Sequence, residues 1–393
     1  MKLAQRMSRL GTETAFEVLV RAKALEAQGR EVVHLEIGEP DFDTPSNIID
    51  AACKALHSGY THYVPSAGIP ALREAIAADV ARSRAIPVNA NQVVVTPGGK
   101  PIMFFVILAL ADEGDEVMYP NPGFPIYESM INFVGAKAVP LPLLEEREFN
   151  FDVDKMRKQI TPRTKLIIIN SPHNPCGSML TKKDLAAIAE VAVKNDIMVL
   201  SDEIYCRLVY DGKFESITQF PGMLERTIIL DGFSKTYAMT GWRMGYGVMP
   251  ESLAPHIARL MTNSNSCTSA FSQMACVEAL QGPQEESYKM VAAFKERRDL
   301  IVKWLNEIPG VHCLLPKGAF YVFPNVKEVI KRGKFANTKA LADQLLQEAG
   351  VAALSGTAFG QYGEGYLRLS YANSIPNLKK AVERIGDFVA KHK

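Results

Sequence analysis

Between about residue 91 and residue 261 the chain repeats one pattern, a short and nearly continuous apolar run followed by a stretch with helical periodicity. The runs are Val93–Val95, Glu116–Tyr119, Lys137–Leu141, Lys165–Ile169, Ile197–Leu200, Thr227–Leu230 and Gly245–Val248. Helices fit at 100–111, 124–134, 153–160, 181–195 and 251–261. A strand apolar on both sides must be covered on both faces, and parallel neighbours need a long crossover that a helix supplies. The alternation therefore predicts an α/β fold with a doubly wound, mostly parallel seven-stranded sheet.

The ends of the chain lack this texture. Residues 15–29 read as an amphipathic helix stopped by Gly29, followed by a strand at 32–37 and a Gly/Pro-rich loop at 38–45. A helix at 46–58, a polar and aromatic stretch at 60–68 and a helix from Pro70 lead into the alternating region. After residue 285 come a long charged helix (Glu285 to Asn306), strands at 311–315 and 319–323, a helix at 337–349, a strand at 366–370 and a helix at 376–391. This is the pattern of a separate α+β unit. A chain of 393 residues exceeds one comfortable core. The N-terminal helix has no βαβ partner of its own, so it is expected to pack on the C-terminal unit. The expected division is residues 1–45 with 286–393 as a smaller, discontinuous α+β domain, and 46–285 as the large domain.

Composition narrows the function. A net charge of +1, from 44 basic and 43 acidic residues, gives no footprint for nucleic acid or an anionic membrane. The six cysteines show neither C-x-x-C nor finger spacing, which argues against a zinc site or a disulfide scaffold and fits reduced thiols in a cytoplasm. The N-terminus lacks a signal-peptide pattern, and the strongest apolar segment, Ile102 to Leu110, is about half of what spans a bilayer. An unexported, cytoplasmic protein is expected.

In open α/β sheets, ligands sit beyond the carboxyl ends of the strands. Val93–Val95 is followed by Thr96-Pro97-Gly98-Gly99-Lys100, a glycine turn whose free backbone N–H groups can cradle a phosphate at a helix start. Leu166–Ile169 leads to Asn170-Ser171-Pro172-His173-Asn174-Pro175-Cys176-Gly177, and Ile197–Leu200 to Ser201-Asp202-Glu203-Ile204-Tyr205. Ile228–Leu230 is followed by the stretch Ser234-Lys235-Thr236-Tyr237-Ala238-Met239-Thr240-Gly241-Trp242-Arg243. A lysine beside a fixed arginine is disfavoured as a cation, which lowers its pKa toward the range of a nucleophile. Taken singly, these are a helix start, a turn, a cap and a solvated loop. Together they describe a site for a phosphorylated pyridine aldehyde. A carboxylate faces the ring nitrogen, a phenol and an amide the ring hydroxyl, a lysine the aldehyde, and Arg and Ser the phosphate.

With these residues in view, the chain resembles the class I and II aminotransferases of the fold type I pyridoxal-phosphate enzymes, and within them the prokaryotic-type aspartate and broad-specificity branch. The resemblance covers nearly the whole chain, including Gly38-Glu39-Pro40-Asp41-Phe42-Asp43-Thr44-Pro45, Pro65-Ser66-Ala67-Gly68-Ile69-Pro70-Ala71-Leu72-Arg73 and the lysine stretch. It implies pyridoxal 5'-phosphate as cofactor, with Lys235 holding it covalently and then moving a proton at the substrate Cα. It further implies Asp202 at the pyridine nitrogen, Tyr205 and Asn174 at the ring oxygen, and Phe124 stacked on the ring. Gly99 and Lys100 backbone N–H groups, Ser234 and Arg243 would hold the phosphate. Tyr63 would reach the phosphate of a neighbouring subunit, so a homodimer with shared sites is implied. Arg368, helped by Asn174 and the Gly38 backbone, would take the substrate carboxylate.

The implied reaction moves an amino group from an L-amino acid to a 2-oxo acid such as 2-oxoglutarate by a ping-pong mechanism. A β- or γ-eliminating lyase on the same fold is the alternative. Three positions depart from the branch: Cys176 replaces a usual Thr, Cys206 a common acidic residue, and Glu17 stands near small hydroxyl residues of aspartate-specific relatives. A carboxylate at Glu17 would repel an acidic side chain and shifts the expectation toward neutral or broad amino-acid specificity. No G-x-x-x-x-G-K-[ST] loop or well-placed G-x-G-x-x-G supports a nucleotide enzyme, and no helix-turn-helix extension supports a regulatory module.

Overall fold

The structure is a computed structural model that describes residues 1–392. Its strands are β1 (Val33–His34), β2 (Val93–Thr96), β3 (Glu116–Asn121), β4 (Lys137–Pro142), β5 (Thr164–Asn170), β6 (Met198–Asp202), β7 (Thr227–Gly232), β8 (Gly245–Val248), β9 (Tyr321–Val322), β10 (Val351–Ala352), β11 (Leu354–Ser355) and β12 (Leu367–Ser370). Strands β2 to β8 form one seven-stranded sheet in the order β2-β8-β7-β6-β5-β3-β4. Pairing is parallel except on the two sides of β8, so β8 alone runs against the others. All seven expected runs are strands of this sheet.

Pleating divides each run between two cores. Leu166, Ile168, Leu200, Ile228 and Leu230 pack on the helices Lys100–Leu110, Ile126–Val134 and Ala254–Asn265. Ile167, Ile169 and Val199 face the helix Lys182–Lys194, while Val93, Val95 and Ile229 face Pro70–Arg84 and Ala270–Gln281. Burial on both faces explains why the runs are continuous rather than alternating. The helix Ala270–Gln281 has no counterpart among the sequence expectations.

Beyond residue 285 the expected helix Glu285–Asn306 is present, and β11, β12 and β9 form a small antiparallel sheet. The expected strand at 311–315 is absent; only His312 makes a bridge, to Asn325. The side chain of Asn306 takes the backbone of Cys313 instead, accepting from its N–H at 2.8 Å and donating to its carbonyl at 2.9 Å. A side chain that satisfies these groups removes the need for a ladder. At the other end of the chain β1 pairs in parallel with β10, and Ala22 and Leu25 of the helix Ala15–Glu26 pack with Val32, Leu346 and Ala352. The strand expected at 32–37 is thus reduced to two paired residues.

The turn after β2 is held by a close approach. Gly98 has φ +90°, and a Cβ on Gly245 of β8 would lie 2.4 Å from both the Gly98 carbonyl carbon and the Gly99 nitrogen. Both contacts are backbone, so the added carbon cannot be absorbed by a rotamer change. Gly245→Ala is expected to cost about 1–3 kcal/mol, as overpacking does. The check is the urea unfolding midpoint; a midpoint equal to the native one would show that the turn yields.

Candidate active site

Strands β5, β6 and β7 end side by side, with Asn170 opposite Asp202 and Asp202 opposite Leu230. Parallel strands in this register bring their following loops to one rim, and a cavity of about 540 Å³ opens there. Asp202 is the last residue of β6 and shares the face of Leu200, toward the helix Ile126–Val134. The hydroxyl of the fully buried Tyr127 donates to its carboxylate at 2.6 Å. Burial pushes the Asp202 carboxyl up to about 6, against the Tyr127 hydroxyl and the Ile204 N–H, with the Asp231 and Glu203 charges adding to the rise.

Lys235 enters the same cavity from the loop after β7, and its Nζ donates to the Gly38 carbonyl at 2.5 Å. Its pKa falls to about 8, chiefly because the amine is desolvated. Glu39 opposes the fall, and Arg368, Arg243 and Lys100 contribute to it. The sequence pointed to the neighbouring arginine as the cause. Burial is the larger one, and Arg243 is one of three cations that add to it.

Arg368 comes from β12 and is 4% exposed. It donates from Nη1 to Asn174 Oδ1 at 3.4 Å and from Nη2 to the Glu36 carbonyl, while its buried Nε has no partner. The guanidinium lies over the rings of Tyr321 (4.6 Å) and Phe359 (5.0 Å). Tyr321 in turn shares a hydrogen bond of 2.8 Å with the Tyr205 hydroxyl, and burial holds the Tyr205 phenol well above its ordinary value. A Cβ on Gly38 would lie 2.1 Å from the Tyr321 hydroxyl, which explains a glycine there. Asn174 is placed by its own backbone N–H, which donates to Asn170 Oδ1 at 2.9 Å, while the Asn170 amide reaches the Asp202 carbonyl at 3.0 Å.

Gly99, Lys100, Ser234 and Arg243 gather at one side of the cavity, and Phe124 forms part of its wall. Pro101 has no N–H and the Ile102 N–H is taken by the Gly99 carbonyl at 3.1 Å, so the N–H groups left for a ligand at the start of the helix Lys100–Leu110 are those of Gly99 and Lys100. Arg243 lies across the turn: its Nη1 donates to the Thr240 carbonyl at 2.8 Å, and a Cβ on Gly98 would lie 2.2 Å from its Nη2.

The family model for aminotransferase class I and II matches residues 30–385. The chain belongs to the class I and II aminotransferases. It is 40% identical to an aspartate aminotransferase of Bacillus subtilis over the full length of both chains. With an aromatic-amino-acid aminotransferase of Thermococcus litoralis it shares 42% identity, covering 91% of this chain and 92% of that one. An alanine aminotransferase structure from Pyrococcus furiosus superposes with a TM-score of 0.94 at 34% identity, covering 99% and 100% of the two chains. Enzymes of this family use pyridoxal phosphate for amino-group transfer, and the relatives do not favour the lyase alternative.

The donor set of this aminotransferase fits that cofactor. It offers a buried carboxylate, an amine of lowered pKa, free helix N–H groups beside a guanidinium, and an unpartnered arginine nitrogen. Eleven of the twelve residues singled out from sequence line the cavity: Gly38, Gly99, Lys100, Phe124, Asn174, Asp202, Tyr205, Ser234, Lys235, Arg243 and Arg368. Tyr63 does not; its side chain is 89% exposed on the surface. Glu17 is also exposed and outside the cavity, because the helix Ala15–Glu26 turns it away, whereas Glu13 is in the wall and pairs with Lys100. Tyr127, Tyr321, Asn170 and Glu13 were missed. A tyrosine in an apolar helix or strand carries no mark of its partner, and these partners lie 75 and 116 residues away. Cys176 and Cys206 are buried and unpaired, and burial pushes both thiols up, so neither is a reactive thiolate.

The Tyr127 hydroxyl opposes the rise of the Asp202 carboxyl, so Tyr127→Phe is expected to move the Asp202 midpoint upward by about one pH unit. Infrared titration of the carboxyl band in the cofactor-free protein reads this directly. A midpoint that stays or falls would remove the assigned hydrogen bond.

Proposed function

We propose that the chain moves the amino group of a neutral or broad range of L-amino acids, aspartate included, to a 2-oxo acid, 2-oxoglutarate being the expected acceptor. One observation supports this above others: Lys235, Asp202 and Arg368 meet in a single cavity. Pyridoxal phosphate, when bound, supplies the aldehyde and the electron-withdrawing ring that the transfer needs. In this reading Asp202 keeps a proton on the ring nitrogen, and Tyr205 and Asn174 hydrogen-bond the ring oxygen. Phe124 stacks on the ring, while Gly99 and Lys100 N–H groups, Ser234 and Arg243 hold the phosphate. Arg368 binds the α-carboxylate of the amino acid through its guanidinium fork. Lys235 Nζ attaches the cofactor and then carries the proton at the substrate Cα. The three relatives are named for aspartate, aromatic amino acids and alanine, so the family does not by itself choose the donor.

Charge supports the neutral or broad range. Lys100, one of the cations of the cavity wall, is paired with Glu13 of the N-terminal segment, which neutralises it. Phe16, Ile37 and Met103 supply apolar wall around the pair. The reading also takes residues 1–45 with 286–393 as the smaller domain and 46–285 as the larger. It includes a homodimer in which Tyr63 reaches the cofactor of a second copy, and a reducing cytoplasm consistent with six unpaired cysteines. No helix among the described residues is long and apolar enough to cross a membrane.

Two measurements test the assignment. An amine whose pKa is lowered to about 8 is neutral, and nucleophilic, above that pH. The rate of cofactor uptake by the apoenzyme, followed by visible absorbance, is expected to rise with pH through about 8 and then level off. Lys235→Ala is expected to give no such band and no turnover; turnover near the native rate sinks the role of Lys235. In a donor panel with 2-oxoglutarate, Glu13→Gln is expected to raise kcat/KM for aspartate over alanine by about tenfold, about 1.4 kcal/mol. An unchanged ratio would remove Glu13 from substrate choice.

A further inference from the structure

Directly behind the site, on the opposite face of the sheet, sits a group of buried charges that the proposed reaction does not use. Alternation along β6 sends Asp202 toward the cavity and Ser201 and Glu203 toward the helix Pro70–Arg84. Asp231 of β7 faces the same way as Glu203, since Ser201 pairs with Ile229. Arg84, the last residue of that helix, reaches both: its Nε donates to Glu203 at 3.0 Å and its Nη2 to Asp231 at 2.8 Å. The side chains of Arg84 and Glu203 are each 1% exposed, and that of Asp231 is 5% exposed.

The remaining lone pairs are nearly all taken. Ser201 and Ser216 hydroxyls donate to Glu203 Oε1 at 2.9 and 2.7 Å. The Gly232 N–H donates to Asp231 Oδ1 at 2.7 Å, and the Tyr246 hydroxyl to Oδ2 at 3.2 Å. Cys206 Sγ lies between Arg84 and Asp231, at 3.2 and 3.4 Å. One cation and two carboxylates are thus buried together, and each carboxylate belongs to a chain segment that carries chemistry. Glu203 follows Asp202 directly, and Asp231 precedes Ser234 and Lys235 by three and four residues. Burying three charges is costly unless each is paired, and replacing such a group by apolar side chains is often neutral or stabilising. Stability alone is therefore a weak reason for this cluster.

We propose that Arg84 is a positioning residue for the transamination site: with Glu203 and Asp231 it clamps the ends of β6 and β7 from behind and fixes the charge that Asp202 and Lys235 experience. The inference rests on the proposed roles of Asp202 and Lys235. Removing the guanidinium leaves two carboxylates uncompensated behind the cofactor, which favours every protonated, cationic form in front of it. Removing one carboxylate does the opposite. The other titratable groups facing Asp202 are Tyr127 and Tyr205 on the cavity side, the charges around Lys235 are Glu39, Arg368, Arg243 and Lys100, and those around Arg84 are Cys206, Tyr246 and the Arg207–Asp79 pair. Substitutions at Arg84, Glu203 and Asp231 leave all of these groups in the chain.

The test is the pH midpoint at which the visible absorbance of the cofactor-loaded enzyme changes, measured beside the thermal midpoint. Arg84→Gln is expected to raise the pH midpoint, and Glu203→Gln and Asp231→Asn to lower it. Each shift is about half a unit or more for a unit charge acting through an effective dielectric constant of about 20. Arg84→Lys, which keeps the charge, is expected to stay near the native midpoint. A merely structural role would lower thermal stability in all of these variants and move the pH midpoints in one direction or not at all, and that result overturns the proposal. Where Arg84→Gln does not fold, the two shape-preserving carboxylate variants decide alone, because an unmoved or raised midpoint in both contradicts it. Failure of the underlying reading looks different: the native protein would then show no visible band with pyridoxal phosphate, or Lys235→Ala would retain it.

Discussion

A desolvated amine without a carboxylate partner organises this molecule. Lys235 donates to a backbone carbonyl, and the charges nearest to it include three further cations, Arg368, Arg243 and Lys100. Collecting positive charge in a cavity with little water is unfavourable unless anions arrive to match it. Glu13 and Glu39 supply part of the match. A phosphate beside Arg243 and a carboxylate on Arg368 would supply the rest, which makes the cavity a better host for a dianionic cofactor and an amino acid than for either one's neutral analogue. The same repulsion adds to the burial that lowers the pKa of the amine to about 8.

The sheet makes this arrangement possible because its pleat separates opposing requirements. Asp202 must present a carboxylate to the cavity, while the strand ends around it must not move. Period-two alternation gives Asp202 to one face and Ser201 and Glu203 to the other, so one short segment both presents the acid and anchors itself. Strand β7 repeats the device: Leu230 faces the cavity and Asp231 faces Arg84. A surface loop carrying the same residues would have no second face on which to brace them.

The same pleat decides how much of the molecule was legible in the sequence. Strands covered on both faces are continuous apolar runs, so all seven were visible, and by the rule for open α/β sheets the loops after β5, β6 and β7 share one rim. Val311 to Leu315 is just as apolar, yet Asn306 binds its backbone and no partner strand lies beside it. Local pattern cannot reveal that competition. The partners Tyr127, Tyr321 and Arg84 were hidden for a related reason. Their polar atoms act across 75, 116 and 119 residues; Tyr127 and Tyr321 sit in otherwise apolar segments, and Arg84 sits among exposed residues at a helix end where an arginine reads as solvated. Glu13 precedes the helix that starts at Ala15 while Glu17 lies in its first turn, and only that starting point decides which of them meets Lys100.

The cavity is closed by parts of the chain that are far apart in sequence. Gly38 belongs to the segment after β1, Arg368 to β12, and Lys235 to the loop after β7. The loop after Gly38 is fastened to the lysine loop where Thr44 donates to the Ala238 carbonyl at 2.7 Å and accepts from Trp242 Nε1 at 2.9 Å. It is fastened to the helix Glu285–Asn306 where Arg297 meets Asp41 at 2.6 Å. A carboxylate seated on Arg368 would satisfy a buried nitrogen that is otherwise unpartnered, and it would do so only while β12 stays against Asn174 and Glu36. A ligand can shift a conformational equilibrium only by its differential affinity for the two states. On the proposed role of Arg368 that difference would be built in: an α-carboxylate there would gain its full set of donors only when N-terminal segment, sheet and C-terminal unit are together, so the group common to every amino acid would favour the assembled site whatever its side chain.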